Sequence, residues 1–197
     1  MRSPGTRLSE IPRTAAQMRI ITAALELFAR HGVSGTSLQM IADAIGVSKA
    51  AVYHQFKIKD EIVVAVAEVE LVRLEAALDA AEAQGSRPEA LELLLTHVVD
   101  LAVERRRMVS AMQADPVMVR ILAEHAPFGA LMERLSRIVI GDEPGAEARV
   151  QAAMLSAAIG GAVIHPLVAD LDDDTLRTQL VHFTRRLFSP EPVGVLR

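Results

Sequence analysis

The residues best equipped for chemistry lie in a short run near position 50. After Ser48, which can cap a helix, come Lys49, Ala50, Ala51, Val52, Tyr53, His54 and Gln55. On a helix, Val52 and Phe56, with Val47 just ahead of them, fall on the side that must meet a core. Lys49, Ala50, Tyr53 and His54 are left facing outward. That face joins a small side chain, which permits close approach, to an ammonium, a phenol and an imidazole. Such a set suits the major groove of DNA, where base edges offer acceptors such as guanine O6 and N7. Chemistry of other kinds has little support. The chain has no cysteine, which excludes disulfides, thiolate metal sites and cysteine nucleophiles. Residues 65–189 hold no phosphate loop, no nucleophile elbow and no clustered metal ligands. His97, His125 and His165 stand on separate segments without paired carboxylates, so neither a metal nor a cofactor is expected, and no enzymatic activity.

The outward face needs elements to hold it. Met18, Ile21, Leu25 and Phe28 recur at helical spacing from Thr14 onward, and Gly32 is suited to the position just past that helix. Thr36 or Ser37 caps a second helix; Thr36 with Gln39 has the spacing of a capping box. Leu38, Ile41, Ala42 and Ile45 form its buried stripe, and Gly46 ends it. Only Val47 separates Gly46 from the Ser48 cap, so two short helices joined by a tight turn read as a helix-turn-helix. Ala42 and Ala51 are small where those helices approach. The first helix completes a three-helix core. Residues 1–13 carry Pro, Gly and Ser without periodicity and read as a flexible basic arm.

Composition agrees with an all-helical chain. Of 197 residues, 51% are hydrophobic and only 3% aromatic, too few aromatics for a single-strand stacking platform. The net charge of −4 hides an asymmetry. Residues 1–60 carry eight Lys or Arg against four acids, and the remainder carries 13 bases against 21 acids. A basic end on an acidic body points to one end meeting a polyanion. The opening residues have no apolar core of a signal peptide, and a cytoplasmic location is expected. The uncharged stretch of 20 residues at 150–169 is long enough to span a bilayer. Its Ala and Gly content, with Gln151, Ser156, His165 and Pro166, favours a helix buried on several sides instead.

The run GVSGTSLQMIADAIGVSKAAVYHQFKIKDEIV resembles the DNA-binding domain of TetR/AcrR-type transcriptional regulators. The match rests on Gly32, Thr36, Ser37, Ile41, Ala42, Gly46, Val47, Ser48, Tyr53, Phe56, Lys59, Ile62 and Val63. The resemblance implies base-facing or groove-facing roles for Lys49, Ala50 and Tyr53, and phosphate contacts for Ser37, Ser48, Tyr53, His54 and Lys59. Ala50-Ala51 departs from the usual small residue plus Thr, Gln55 stands where His or Tyr is frequent, and Ile58 where a polar residue is usual. These departures bear on which operator bases are read.

Beyond residue 60 the spacing predicts helices over about 58–84, 88–113, 116–125, 127–140, 143–165 and 173–188. The 88–113 helix is apolar on many sides and belongs in the centre of a bundle. The family resemblance implies a ligand cavity there, with Leu94, His97, Leu101, Met108, Met112, Met118, Phe128, Met132 and Met154 as lining candidates; methionines adapt to irregular ligands. Ala153, Ala157, Gly160 and Gly161 permit close helix approach, and Leu176, Leu180, Phe183 and Leu187 stripe the last helix. The resemblance implies that these two helices pair with a second copy in a four-helix bundle.

The expected molecule is therefore all-α: an arm (1–13), a three-helix helix-turn-helix DNA-binding domain (14–60), a larger helical effector-binding and dimerisation domain (61–189) and a tail (190–197). Its expected function is that of a ligand-responsive regulator, a repressor released from a palindromic double-stranded operator by a small apolar effector, acting as a homodimer away from membranes. Two alternatives stand beside it. One is a small-molecule-binding helical protein or helical enzyme whose N-terminal helices dock a protein partner. The other is an activator of the same fold.

Overall fold

A computed structural model describes residues 7–106 and 115–188, and among these residues every regular element is helical. The head consists of α1 (Ala15–Gly35), α2 (Leu38–Ala44) and α3 (Lys49–Gln55). The body begins with the long α4 (Lys59–Glu82) and continues through α5 (Arg87–Glu104), α6 (Pro116–Ala123), α7 (Ala126–Ile140), α8 (Ala146–Ala162) and α9 (Asp173–Phe188).

Local signals explain where the helices start and stop. Thr14 and Gln17 form the capping box of α1: the Gln17 amide donates to Thr14 Oγ1 at 3.1 Å, and the Thr14 amide donates to Gln17 Oε1 at 3.0 Å. Gly32, at φ +71°, breaks the regular turn of α1 in the left-handed region that suits glycine. Thr36 does not form a capping box with Gln39. It is buried, and its hydroxyl donates to the Gly32 carbonyl at 2.8 Å, while Gln39 Nε2 donates to Asp43. Ser37 caps α2 instead. The Ser86 side chain caps α5, accepting from the Glu89 amide, and the Asp172 carboxylate accepts from the Thr175 amide at 2.8 Å as α9 begins.

One continuous apolar core runs from head to body. Ile21, Ala24, Phe28 and Val33 of α1 meet Ile41, Val52 and Phe56, and the same cluster continues along α4 through Ile62, Val63, Val66 and Leu78 into α7. The division expected near residue 60 thus falls at the start of a helix whose first turns belong to both packing units. A second core joins Leu95, Val99 and Val103 of α5 to Leu155 and Ile159 of α8 and to Leu176 of α9. The central place expected for the 88–113 helix is visible in α5, which meets α4, α7, α8 and α9.

Three sequence expectations are corrected. Residues 7–13 do not hang free. Leu8 is buried, the Leu8 and Ser9 amides donate to the buried Glu75 carboxylate at 3.0 and 3.1 Å, and Arg13 pairs with Glu68, all along α4. Two inward carboxylates two turns apart supply acceptors that a pattern of apolar residues does not reveal. Leu176 and Leu180 do not lie on an open face of α9. They pack into the second core, and the partly exposed pairs Arg177–Asp100 and Arg185–Glu92 flank that contact between α9 and α5. Gly160 is likewise buried. The outward face of α8 and α9 carries Ala153, Ala157 and Phe183, with Gly161 partly exposed, and adds Val150 and Met154. The side chain of Leu187 lies outside the described residues. Among those residues, no helix is long and apolar enough to cross a membrane.

Candidate nucleic-acid interface

The turn between α2 and α3 is short and tightly bonded. Gly46 has φ +68°, its amide donates to the Asp43 carbonyl at 3.2 Å, and the Val47 amide donates to the Ala42 carbonyl at 3.0 Å. Behind it, Ala42 and Val52 are fully buried and Phe56 nearly so, which fixes the rotation of α3 against the head. Ala51, in contrast, is exposed and takes no part in the close approach expected of it. With Val52 inward, Lys49, Ala50, Tyr53 and His54 all emerge exposed, as the helical spacing predicts. Tyr53 is 46% exposed. The side chains of Lys49, Tyr53 and His54 have no hydrogen-bond or ion-pair partner among the described residues.

Two serines flank this face. Ser37 Oγ accepts from the Met40 amide at 3.2 Å, and Ser48 Oγ accepts from the Ala51 amide at 3.2 Å. Each cap uses an oxygen lone pair and leaves the hydroxyl hydrogen available to an incoming acceptor, such as a phosphate oxygen. Lys59 is placed differently. Its half-buried ammonium donates to the carbonyls of Val33 at 2.9 Å and Thr36 at 3.2 Å, so it ties the α1–α2 turn to the start of α4. Three other cations escaped the sequence reading. Lys57 donates to the carbonyls of Tyr53 and His54 at the end of α3, Arg19 donates to the Ile45 carbonyl, and Arg30 is exposed. Their signal was the basic balance of the segment, which does not say which cation faces which way.

Six of the body's nine lining candidates have described side chains, and three of those share one core. Leu94 belongs to the main core, Phe128 and Met132 pack against it, and Met154 is 66% exposed on the outer side of α8. His97 donates through Nδ1 to the Leu93 carbonyl of its own helix at 2.8 Å, and Leu101 is half-buried. Met108, Met112 and the side chain of Met118 lie outside the described residues. Of the remaining histidines, His165 accepts from the Leu167 amide and His125 meets Glu68, so the three stay dispersed.

Residues 20–66, which hold α2, the tight turn, α3 and the core beneath them, match the pattern of bacterial regulatory proteins of the tetR family. The chain carries a head of the tetR type. It is 36% identical over 98 residues to the HTH-type transcriptional regulator AcrR of Shigella flexneri, a match covering 47% of this chain and 45% of that protein. It is 25% identical over 134 residues to the HTH-type transcriptional repressor AcnR of Corynebacterium diphtheriae, covering 64% and 68%. The chain thus spans less than half the length of one relative and about two thirds of the other. Among solved structures, the transcriptional regulator FadR of Bacillus subtilis in complex with stearoyl-CoA superposes with a TM-score of 0.67 at 19% identity, over 87% of this chain and 97% of that one. At that identity the likeness is one of fold. It extends the all-helical TetR-like architecture beyond the matched head to the body.

Proposed function

We propose that the protein is a homodimeric transcriptional regulator, acting as a repressor, that binds a near-palindromic operator through two α3 helices and is released by a small ligand. The observation that carries the reading is the outward face of α3. Lys49, Tyr53 and His54 stand exposed and unpaired beside Ala50, on a helix whose rotation is fixed by Val52 and Phe56. A polar face without internal partners on a buried-backed helix is what groove insertion requires. Lys49 serves as the base-reading residue, Ala50 gives clearance, and Ser37, Ser48, Tyr53 and His54 hold phosphates. The ammonium of Lys59 positions the α1–α2 turn and contributes to phosphate binding only through the donor left after its two carbonyl bonds.

Two copies place two heads on successive turns of the duplex. The apolar outer face of α8 and α9, where Val150, Met154 and Phe183 are each more than half exposed, supports pairing of those helices in the dimer. A ligand that prefers one spacing of the heads shifts the equilibrium only by its differential affinity for the two states. The complex of FadR with stearoyl-CoA supports ligand binding as a property of this fold. Repression follows the role of the relative AcnR, a transcriptional repressor.

The test is fluorescence anisotropy on DNA flanking the gene of this chain, across several salt concentrations, against scrambled DNA. Saturable binding that prefers the flanking DNA and is lost in Lys49→Ala/Tyr53→Ala protein is the expected result. A folded dimer that binds neither DNA at low salt overturns it.

A further inference from the structure

The N-terminal strap, residues 7–13, lies ahead of the residues that match the family pattern and is fastened along α4 by carboxylates. Arg13 pairs with Glu68, Glu75 takes the middle, and Arg7 pairs with Asp79 at 2.7 Å. The middle tie differs in kind. Glu75 is 5% exposed, and among the described residues no cation pairs with it. Its two oxygens each accept a backbone hydrogen bond instead, from the Leu8 amide at 3.0 Å and the Ser9 amide at 3.1 Å. Those amides open the short 3-10 turn Leu8–Glu10, whose own carbonyls cannot serve them. A buried carboxylate needs such donors, so strap and carboxylate satisfy each other. Leu8, 4% exposed, and Ile11 add apolar contact with the main core, and Pro12 stiffens the stretch that leads to α1.

What the strap fastens is the start of α1. Arg13 stands next to the Thr14 cap, and its partner Glu68 lies about 14 Å along α4 from Lys59 at the helical rise of about 1.5 Å per residue. The other end of α1 is tied at Lys59, whose ammonium donates to the Val33 carbonyl at 2.9 Å. A head held at one point of α4 can pivot about the α3–α4 joint. A head held at two points has a defined angle. We propose that Glu75 is a positioning residue: by holding the strap it fixes the angle of the head against the body, and with it the spacing of two α3 helices in a dimer. The spacing rests on the DNA-binding reading, whereas the angle belongs to the single chain.

The angle can be measured without DNA. The chain has no cysteine, so Ala44→Cys in the head and Ser136→Cys in α7, both exposed positions, take spin labels selectively. Dipolar spectroscopy on the labelled full chain, diluted with unlabelled chain, gives the head-to-body distance. A narrow distribution is expected for the unaltered strap, and one at least twofold broader in Glu75→Gln and in Leu8→Asp, with helicity unchanged by circular dichroism. Hydrogen exchange at the Leu8 and Ser9 amides should accelerate at least tenfold in both. Ser9→Ala should change neither readout, because only the Ser9 backbone takes part. A distribution that stays narrow while those amides exchange freely overturns the inference, and so does exchange that stays slow in both variants. In the anisotropy assay, Glu75→Gln should lower the preference for the flanking DNA at least tenfold and leave binding to scrambled DNA unchanged. An unchanged preference despite a broadened distribution overturns the link to head spacing. If the unaltered protein binds neither DNA, the DNA-binding reading fails alone, and the distance measurement still decides the role of Glu75.

Discussion

Asp115 shows how much one side chain can join. Its buried carboxylate caps α6 by accepting from the Val117 amide at 2.9 Å, and it reaches across to the head, accepting from the Ser34 amide at 2.9 Å. Its Oδ2 also lies against the open side of Gly32, where an added Cβ would meet it at 3.4 Å. Removing this acceptor deprives the exposed Ser34 amide in the head and a helix end in the body of their protein partner, each worth about 1 kcal/mol. Asp115→Ala is therefore expected to lower the urea midpoint by the equivalent of about 2 kcal/mol. Hydrogen exchange should report the loss at Ser34 and Val117 together. Lys49 makes the opposite kind of contribution, since it holds nothing within the chain. Lys49→Ala should leave the midpoint unchanged while costing about 1–3 kcal/mol of operator preference if it reads a base. A loss equal on operator and scrambled DNA, with a smaller salt slope, would assign it to a phosphate instead.

At the scale of the element, the helix-turn-helix depends on its termini, because α2 and α3 each have only seven residues and little stability of their own. Ser37→Ala and Ser48→Ala are each expected to cost about 1 kcal/mol, read as earlier melting of the head in denaturant. The two should add, since the hydroxyls cap different helices and share no partner. Gly32 sets the exit from α1. With φ at +71°, Gly32→Ala introduces left-handed strain of roughly 1–2 kcal/mol, visible as a lowered thermal midpoint. Much of this was legible in advance. Gly32, Gly46 and Ser48 are local signals, and each acts within a few residues of where it stands. The cap of α2 stayed open between Thr36 and Ser37 because adjacent hydroxyls offer two equivalent caps in sequence. Burial decides between them, and burial is not local.

Across the whole molecule, α4 is held by partners that come from both ends of the chain. Arg134 of α7 donates to Asp79 at 2.6 Å and to Glu82 at 2.7 and 2.9 Å, and Arg7 of the N-terminal segment shares Asp79. The hydrogen bonds from Arg134 hold both carboxyls below the usual carboxylate range. A carboxyl with a depressed folded pKa stabilises the fold above its unfolded pKa, near 4, and that contribution is lost as pH falls through the folded value. Both carboxylates are about a third exposed, so the effect is screened and totals less than about 1 kcal/mol. Urea midpoints at pH 7 and pH 3 should converge slightly in Arg134→Met relative to the unaltered protein. The outer face of α8 gives the assembly-scale expectation. Met154→Asp places a charge in the proposed dimer seam, and analytical ultracentrifugation should then find monomer with helicity intact.

By itself the sequence determined the helical class, the start of every described helix in the body to within a few residues, and the donor-bearing face of α3, although α5, expected to run to 113, ends at Glu104. These follow from periodicity and capping, which act over one or two turns of chain. Tertiary structure alone decided which carboxylates turn inward. Glu68 and Glu75 look like any exposed acids of a long helix until the N-terminal segment and His125 are packed beside them. It also decided which leucines of α9 are internal, because the apolar core that receives Leu176 and Leu180 is built from α5 and α8. Both choices balance desolvation against partners distant in sequence, and such a balance exists only once the chain has brought those partners together.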